Sequence, residues 1–582
     1  MKALMKSYNR LKVFFITIFK RTNNYLESRS RLRTFVVFSF FFLVFFWAYF
    51  YVSTVSSSDD QFFHFRFAQQ MLQNGVLNSF WHFKAIYFTN NAIDHSWFIY
   101  YNFLFYIVLI PFTFIVPLFL GMKLFAVLSA AFVFTTLYWC AKRFGVRYPF
   151  AGTMVVFAII SSFSIWRFFL SRPYTVAPAL MLILLYFLYR RWYTAQFVLS
   201  FLYLYWHCST FFFPLIVVVS YFLFSAIYGE KIDWKSIFAV FGGVAAAIGF
   251  SYVISPGFLT FVKDTEIGIY WETIIGKKVP LPEGGELYPV DFFSFLQQNT
   301  LLVSGMLIGV VVEIKKYFIF RKKKQNREVP AESVSADSKQ LAVLRATLFF
   351  LSIGFFLGVI VVSMRFADFF VFFAGFYLIM AFGAILADIK ISTDYIRKSI
   401  VVGLCVVICY LFISNILLLQ TQFALGGIAP DMMEQTGEWL AAHTQKGDVV
   451  FNASWNWFPQ LYYWSPNNNY VIGLEPRFLY VYNPQLYWEW WHMTTDGYIC
   501  TTQNCPTQDA AQKTGYTNAG IKGWEKTEGD LVAKTILTDF HSKYIVTAQG
   551  LYQRFGILLA NNSHFKLVLT DTHGYQIYQV LP

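Results

Sequence analysis

Apolar runs long enough to cross a bilayer alternate with short polar turns from position 35 to position 419. A helix needs about 20 largely apolar residues to cross the hydrocarbon core. The pattern predicts eleven spans, at 35–55, 121–141, 149–168, 174–190, 194–208, 211–228, 236–254, 299–314, 346–363, 366–387 and 399–419. The apolar stretch 97–120 is expected as helices in or against the interface. As a further span it would reverse every later loop and place Arg190, Arg191 and Lys322–Lys324 outside. Polarity becomes ordinary after Leu419. There, 432–443 has helical spacing, and 448–452, 470–474, 544–547 and 565–569 are β-branched or aromatic runs between turn residues. The expected fold is a polytopic α-helical membrane domain followed by a mixed α/β domain.

Composition sharpens this. Of 582 residues, 57% are hydrophobic and only 13% charged, against about 25% charged in an ordinary soluble domain. The net charge of +14 does not point to nucleic acid, because Lys and Arg gather at span ends as topology signals do. Arg29, Arg31 and Arg33 before the first span predict a cytoplasmic N-terminus. The first loop (56–120), the loop 256–298 and the region 421–582 then face out, in a multi-pass protein of the cytoplasmic membrane. Residues 1–33 are expected as a basic amphipathic segment on the cytoplasmic surface, with no cleavage site. The membrane domain is expected at 34–420, interrupted by a mobile cytoplasmic linker at 321–345. Cys140, Cys208, Cys405 and Cys409 lie in or beside apolar runs and are expected as packing residues. Cys500 and Cys505 are candidates for a small-loop disulfide.

Candidate chemistry begins just past the first span, at Asp59-Asp60-Gln-Phe-Phe-His64-Phe-Arg66. An acidic pair at a membrane boundary is costly and suggests a handled cation or proton. On a helix, Asp60, His64 and Phe67 share one face. A carboxylate there suits a divalent cation, and an Arg nearby suits a phosphate. The plainer alternative is a helix cap, which accounts for one Asp and leaves the other over.

The Asp60-to-Arg66 spacing resembles the first-loop motif of oligosaccharyltransferase catalytic subunits. More broadly, an acid after span one resembles the GT-C class of membrane glycosyltransferases, which use polyprenyl-linked donors. Glu286-Leu-Tyr-Pro289 is similar to that family's Glu-x-x-Pro string, which implies that Glu286 binds metal and acceptor amide; a solvated turn is the alternative. Ser-Met-Arg365-Phe resembles an Arg-Phe near the lipid pyrophosphate. Arg365, Arg66 and Arg172 are therefore candidates for the donor phosphate. The family's second acidic motif is missing, since Ser171-Arg172-Pro173 is followed by no carboxylate. Asp94, His95 and His207 are the candidates to replace it as metal ligand beside Asp60 and Glu286, with a metal-independent version left open. The family's acceptor-reading motif is also altered, to Trp455-Asn456-Trp457-Phe-Pro. That string keeps an aromatic surface suited to sugar or peptide.

The resemblance implies an inverting glycosyltransferase that moves a glycan from a polyprenyl-(di)phosphate carrier to a protein or lipid acceptor outside the cytoplasm. Asp60 would be metal ligand or base, Asp59 its supporting acid, and Mg or Mn the cofactor. The enzyme is expected to work as a single subunit among membrane lipids. One alternative is a GT-C monosaccharide transferase using a polyprenyl-phosphate sugar. A second is a transporter or flippase, disfavoured because the spans carry almost no charge.

Overall fold

The computed structural model describes residues 30–55, 59–74, 102–254, 263, 285–325, 336–388, 394–504 and 518–582. The first apolar run folds as helix α1, Ser30–Phe50. In lipid a chain must satisfy its own backbone polar groups, and an unbroken helix does so. At its end the Lys123 ammonium donates to the carbonyls of Tyr49 (3.4 Å) and Val52, adding a donor where a helix C-terminus is short of them. Lys123 belongs to the antiparallel helix α3, Leu118–Arg143. Between these two lies α2, Asp60–Asn74, too polar to span. The described part of the 97–120 stretch holds two short pieces, Phe103–Leu109 and Ile110–Phe114, and no helix of spanning length; 97–101 lies outside the described residues.

Eight helices among the described residues are long and apolar enough to cross a bilayer, with a ninth if one pair bent by 84° counts as a single span. Eleven were expected. The 149–168 run is broken: α4 (Pro149–Ile159) stops, Ile160 is extended, and α5 (Ser162–Arg167) restarts under a Ser161 cap. The 194–208 run forms a helix of 14 residues, Tyr193–Trp206. The break at Ile160 strands carbonyls in an apolar setting. Asn415 Nδ2, on the last long helix, donates to the carbonyls of Phe157, Ala158 and Ile160 at 3.0, 3.2 and 2.9 Å.

Rings fill the bundle. Phe134 stacks on Phe41 at 5.5 Å and meets Phe45 and Phe157 edge-on at 5.6 and 5.1 Å; Phe169 meets Phe45 edge-on at 5.1 Å. Lipid is as apolar as Phe, so close packing holds such helices together more than burial does. The 321–345 stretch is helical at both described ends, within Thr300–Gln325 and Ala336–Val361; 326–335 lies outside the described residues, as do 1–29.

The C-terminal region builds one five-stranded sheet in the order β2-β1-β3-β5-β4. The strands are β1 Val449–Asn452, β2 Asn469–Tyr470, β3 Ser542–Ala548, β4 Phe565–Thr570 and β5 Tyr575–Val580. β1 pairs parallel with β2 and β3, and β5 antiparallel with β3 and β4. Cys500 is disulfide-bonded, and Cys505 lies outside the described residues. Contacts tie the sheet region to the bundle. Val55 and Ile428 exchange backbone hydrogen bonds of 2.9 and 3.0 Å. The helix Phe458–Trp464 packs on α2, with Phe63 against Phe458 and Tyr462 at 5.5 and 5.3 Å.

Candidate functional site

At the end of the bundle nearest the sheet, four charged side chains from four distant segments form a chain of alternating sign. Asp60 opens α2, where the partial positive charge of a helix start favours an acid. Its Oδ2 lies 2.9 Å from Arg172 Nη2. Arg172 Nη1 lies 2.6 Å from Glu286 Oε2. Arg365 closes the series on the other Glu286 oxygen, with Nη2 at 3.0 Å and Nε at 3.2 Å. The four side chains are 16–28% exposed, so the cluster reaches solvent.

Each member is held by backbone. Ser171 is buried with φ of 42°, a left-handed conformation disfavoured for serine. It turns the chain between Leu170 and the Arg172-Pro173 step. Arg172 itself is extended (φ −117°, ψ 156°), as the residue before proline prefers. Trp206 Nε1 donates to the Pro173 carbonyl at 2.7 Å. Glu286 sits in the one-turn helix Gly285–Leu287. Ser363 Oγ donates to the Glu286 carbonyl (2.7 Å), and the Met364 amide donates to Tyr288 (3.0 Å). The Glu286 and Arg365 loops are thus fastened to each other before their side chains meet.

Tyr174 lies between two guanidiniums, with Arg172 Cζ 5.8 Å and Arg167 Cζ 5.4 Å from its ring centre. Arg167 makes a bidentate pair with Asp368 at 2.6 and 2.8 Å. His207 touches the Tyr174 ring edge-on at 6.3 Å, and its Nδ1 is 2.5 Å from Thr210 Oγ1. Arg167, Asp368 and Tyr174 were not among the expected site residues. An ionisable side chain inside an apolar run is itself a signal, and Arg167 and Asp368 carry it.

Asp59 stands beside the cluster. Gln460 Nε2, on the helix packed against α2, donates to its Oδ1 at 2.8 Å. Burial, then the negative charge of Asp60, pushes the Asp59 carboxyl up to about 6. Burial also raises Asp60, with Arg172 offsetting part of the effect. For Glu286 burial acts in the same direction, but Arg172 and Arg365 outweigh it and hold the carboxyl down at about 2.

The structure brings Asp60, Arg172, Glu286 and Arg365 together with Asp59 at their side. Arg66, six residues along α2, is elsewhere: it donates to Gln69 Oε1 at 2.5 Å and lies 5.9 Å from the Tyr463 ring centre. His64 is buried against Tyr106, Nδ1 to hydroxyl 3.1 Å. Trp455, Asn456 and Trp457 form a short turn after β1. Asn456 is exposed and accepts from Ser454 Oγ, whereas Trp457 is buried edge-on against Tyr552 and Tyr575. Asp94 and His95 lie outside the described residues. No group of three or more metal-type ligands occurs among the described residues. The expected ligands Asp60 and Glu286 face each other across the Arg172 guanidinium. That cation takes one oxygen of each and Arg365 takes the other Glu286 oxygen, where a hard divalent ion would need several free carboxylate oxygens, so these residues as arranged do not fit Mg or Mn.

No protein-family profile matches the sequence, and no curated protein matches it. Solved structures do match in shape. The apo oligosaccharyltransferase of Archaeoglobus fulgidus superposes with a TM-score of 0.54 at 10% identity, over 94% of this chain and 74% of that one. The same enzyme tethered to an acceptor peptide with the NVT sequon gives 0.52 at 9%, over 95% and 75%. ArnT from Cupriavidus metallidurans, bound to undecaprenyl phosphate, gives 0.51 at 10%, over 93% and 97%. The chain therefore has the GT-C membrane fold, an integral-membrane helical bundle followed by a region with a small mixed sheet, like an oligosaccharyltransferase.

Proposed function

We propose that the chain is a GT-C glycosyltransferase that moves a glycan from a polyprenyl-(di)phosphate carrier to an acceptor outside the cytoplasm, by an inverting reaction. The observation that carries this reading is the part-exposed series Asp60–Arg172–Glu286–Arg365 at the sheet end of the bundle. Its fixed cations are two guanidiniums, whose planar forks match phosphate oxygens. Undecaprenyl phosphate in ArnT and the sequon peptide in the archaeal enzyme support the two substrate classes.

In this mechanism the donor phosphate recruits Arg365 and Arg172. Arg172 thereby loosens its hold on Asp60. The acceptor's nucleophilic atom gives its lone pair to the anomeric carbon, on the face opposite the phosphate. The bond from that carbon to the carrier oxygen breaks, and the phosphate leaves with the electron pair. Asp60 takes the proton released by the nucleophile, a role that its upward-shifted carboxyl suits. The guanidiniums stabilise the charge that grows on the leaving phosphate. Asp59 supports Asp60, and Glu286 keeps both arginines in place. The N-terminus lies in the cytoplasm and the sheet region outside.

A second reading, addition of one sugar from a polyprenyl-phosphate monosaccharide to lipid or protein, is favoured by two facts. The chain covers 97% of ArnT but 74% of the oligosaccharyltransferase, and Trp457 is committed to its own domain's core. Purified protein in nanodiscs, given radiolabelled polyprenyl-linked glycan with a sequon peptide or a lipid acceptor, tests both. Label on peptide, lost in Asp60→Ala, supports the first reading. Label on lipid alone selects the second. Transfer to neither, with wild-type protein intact, overturns both.

A further inference from the structure

A cavity of about 470 Å³ opens at the other end of the bundle, between the first two spans, within the size range of ligand pockets. Its depth follows from the packing. Lys123 meets the end of α1 at Tyr49, and 20 residues separate Lys123 from Arg143, roughly 30 Å of helix. Arg143 therefore comes level with Arg31 at the start of α1, and both line the cavity.

The walls are built at helical spacing. Arg31, Phe35 and Phe38 come from α1, and Thr135, Trp139 and Arg143 come from one face of α3. Ile183 closes the side. Arg31 and Arg143 are exposed, with Arg143 Cζ 5.6 Å from the Trp139 ring centre. Thr135 is only 7% exposed, and its hydroxyl has no hydrogen-bond partner among the described residues. Its neighbour Thr136 instead donates back to the Phe132 carbonyl at 2.8 Å, the usual outlet for a helical threonine. A buried hydroxyl left unpaired is costly, and this one faces a cavity that is apolar in the middle and cationic at the mouth.

We propose that this groove is a binding site for an anionic glycerophospholipid of the adjoining leaflet. Its phosphate would sit between Arg31 and Arg143. Its acyl chain would run along Phe35, Phe38 and Ile183, and an ester carbonyl would accept from Thr135 Oγ1. Basic pockets between helices recognise anionic headgroups in this way. The site is separate from the charge series at the opposite end and does not depend on the proposed reaction.

The full-length protein is reconstituted in nanodiscs of equal phosphatidylglycerol and phosphatidylcholine, released into mild detergent and weighed by native mass spectrometry. The expected result is one retained phosphatidylglycerol, at least ten-fold preferred over phosphatidylcholine. Arg31→Gln with Arg143→Gln should reduce the preference below two-fold. Arg31→Lys with Arg143→Lys should keep most of it. Arg190→Gln, an exposed arginine at the same end but outside the groove, should leave it unchanged. Thr135→Val, nearly isosteric, should lower retention without altering the choice of headgroup. Equal retention of both lipids by the wild type overturns the proposal. So does an unchanged preference in the double Gln variant.

Discussion

Arg167 and Asp368 form a two-pronged ion pair at 2.6 and 2.8 Å, with side chains 3% and 2% exposed, inside a bundle rich in phenylalanine. The pair stands behind Tyr174, whose ring also carries Arg172. Removing one partner strands the other charge, a loss of about 3–5 kcal/mol where a buried pair is broken. Asp368→Ala is therefore expected to lower the thermal midpoint sharply. Arg167→Met with Asp368→Leu should restore most of the stability, because neither charge then remains. If the double variant recovers stability but not donor use, the pair positions Arg172 through Tyr174. Full recovery of both limits it to a packing role.

The membrane architecture was legible because bilayer thickness imposes a run length that any reader of the sequence can see. The break at Ile160 was not, because its stranded carbonyls are met by Asn415, more than 250 positions later. The site was half legible. Asp60 and Arg365 stood out as charges at apolar boundaries, Glu286 only through its Glu-x-x-Pro string, and Arg172 was noticed where an acid was missing. What no local string carries is that Arg172 reaches Glu286 across 114 positions. The motif that suggested Arg66 assumed a shared site, but six residues advance a helix by about 600°, which turns Arg66 toward Tyr463.

Arg172 bridges two carboxylates with two different nitrogens. Lysine is a point charge and cannot make both contacts in that geometry. Arg172→Lys and Arg172→Gln should both lower turnover, by about 100- to 1,000-fold for the neutral variant, the usual cost of one charge-stabilising donor. The same geometry predicts that wild-type transfer continues after exhaustive chelation. Loss of activity in chelator, restored by Mg or Mn, would mean that Arg172 withdraws from between Asp60 and Glu286 to admit the metal.

Asp59 and Glu286 should leave opposite marks on stability. Asp59 is raised from an ordinary carboxyl to about 6. Its contribution is fully present below about pH 4 and is lost as pH rises through 6. Glu286 is lowered to about 2, so its contribution is present above its usual value and fades only as pH falls toward 2. Between pH 4 and 7 Asp59 adds to a fall that other carboxyls raised by burial share, among them Asp60 and Glu489, the latter pushed up to about 7. Thermal midpoints across that range should fall as pH rises, and Asp59→Asn, which mimics the protonated acid and can keep a bond to Gln460, should make the fall shallower. A slope unchanged in Asp59→Asn would assign the titration to another group.

Asn415 offers a sharper test of how the broken span is tolerated. Its amide serves the carbonyls of Phe157, Ala158 and Ile160 from one nitrogen. Asn415→Leu keeps the volume and removes the donor, leaving those carbonyls facing an apolar bundle. A buried group left unsatisfied costs about 1–3 kcal/mol, so the variant should unfold at a clearly lower temperature in detergent. Asn415→Asp has no amide to offer and should be at least as damaging. Asn415→Gln retains the amide one methylene further out and should lie between leucine and wild type. Ile160 is followed by α5, which carries Arg167 into contact with Asp368. Donor use should therefore fall together with stability across the three variants. A leucine variant as stable as the wild type would show that water or a local repacking satisfies the break, and that Asn415 is not what holds it.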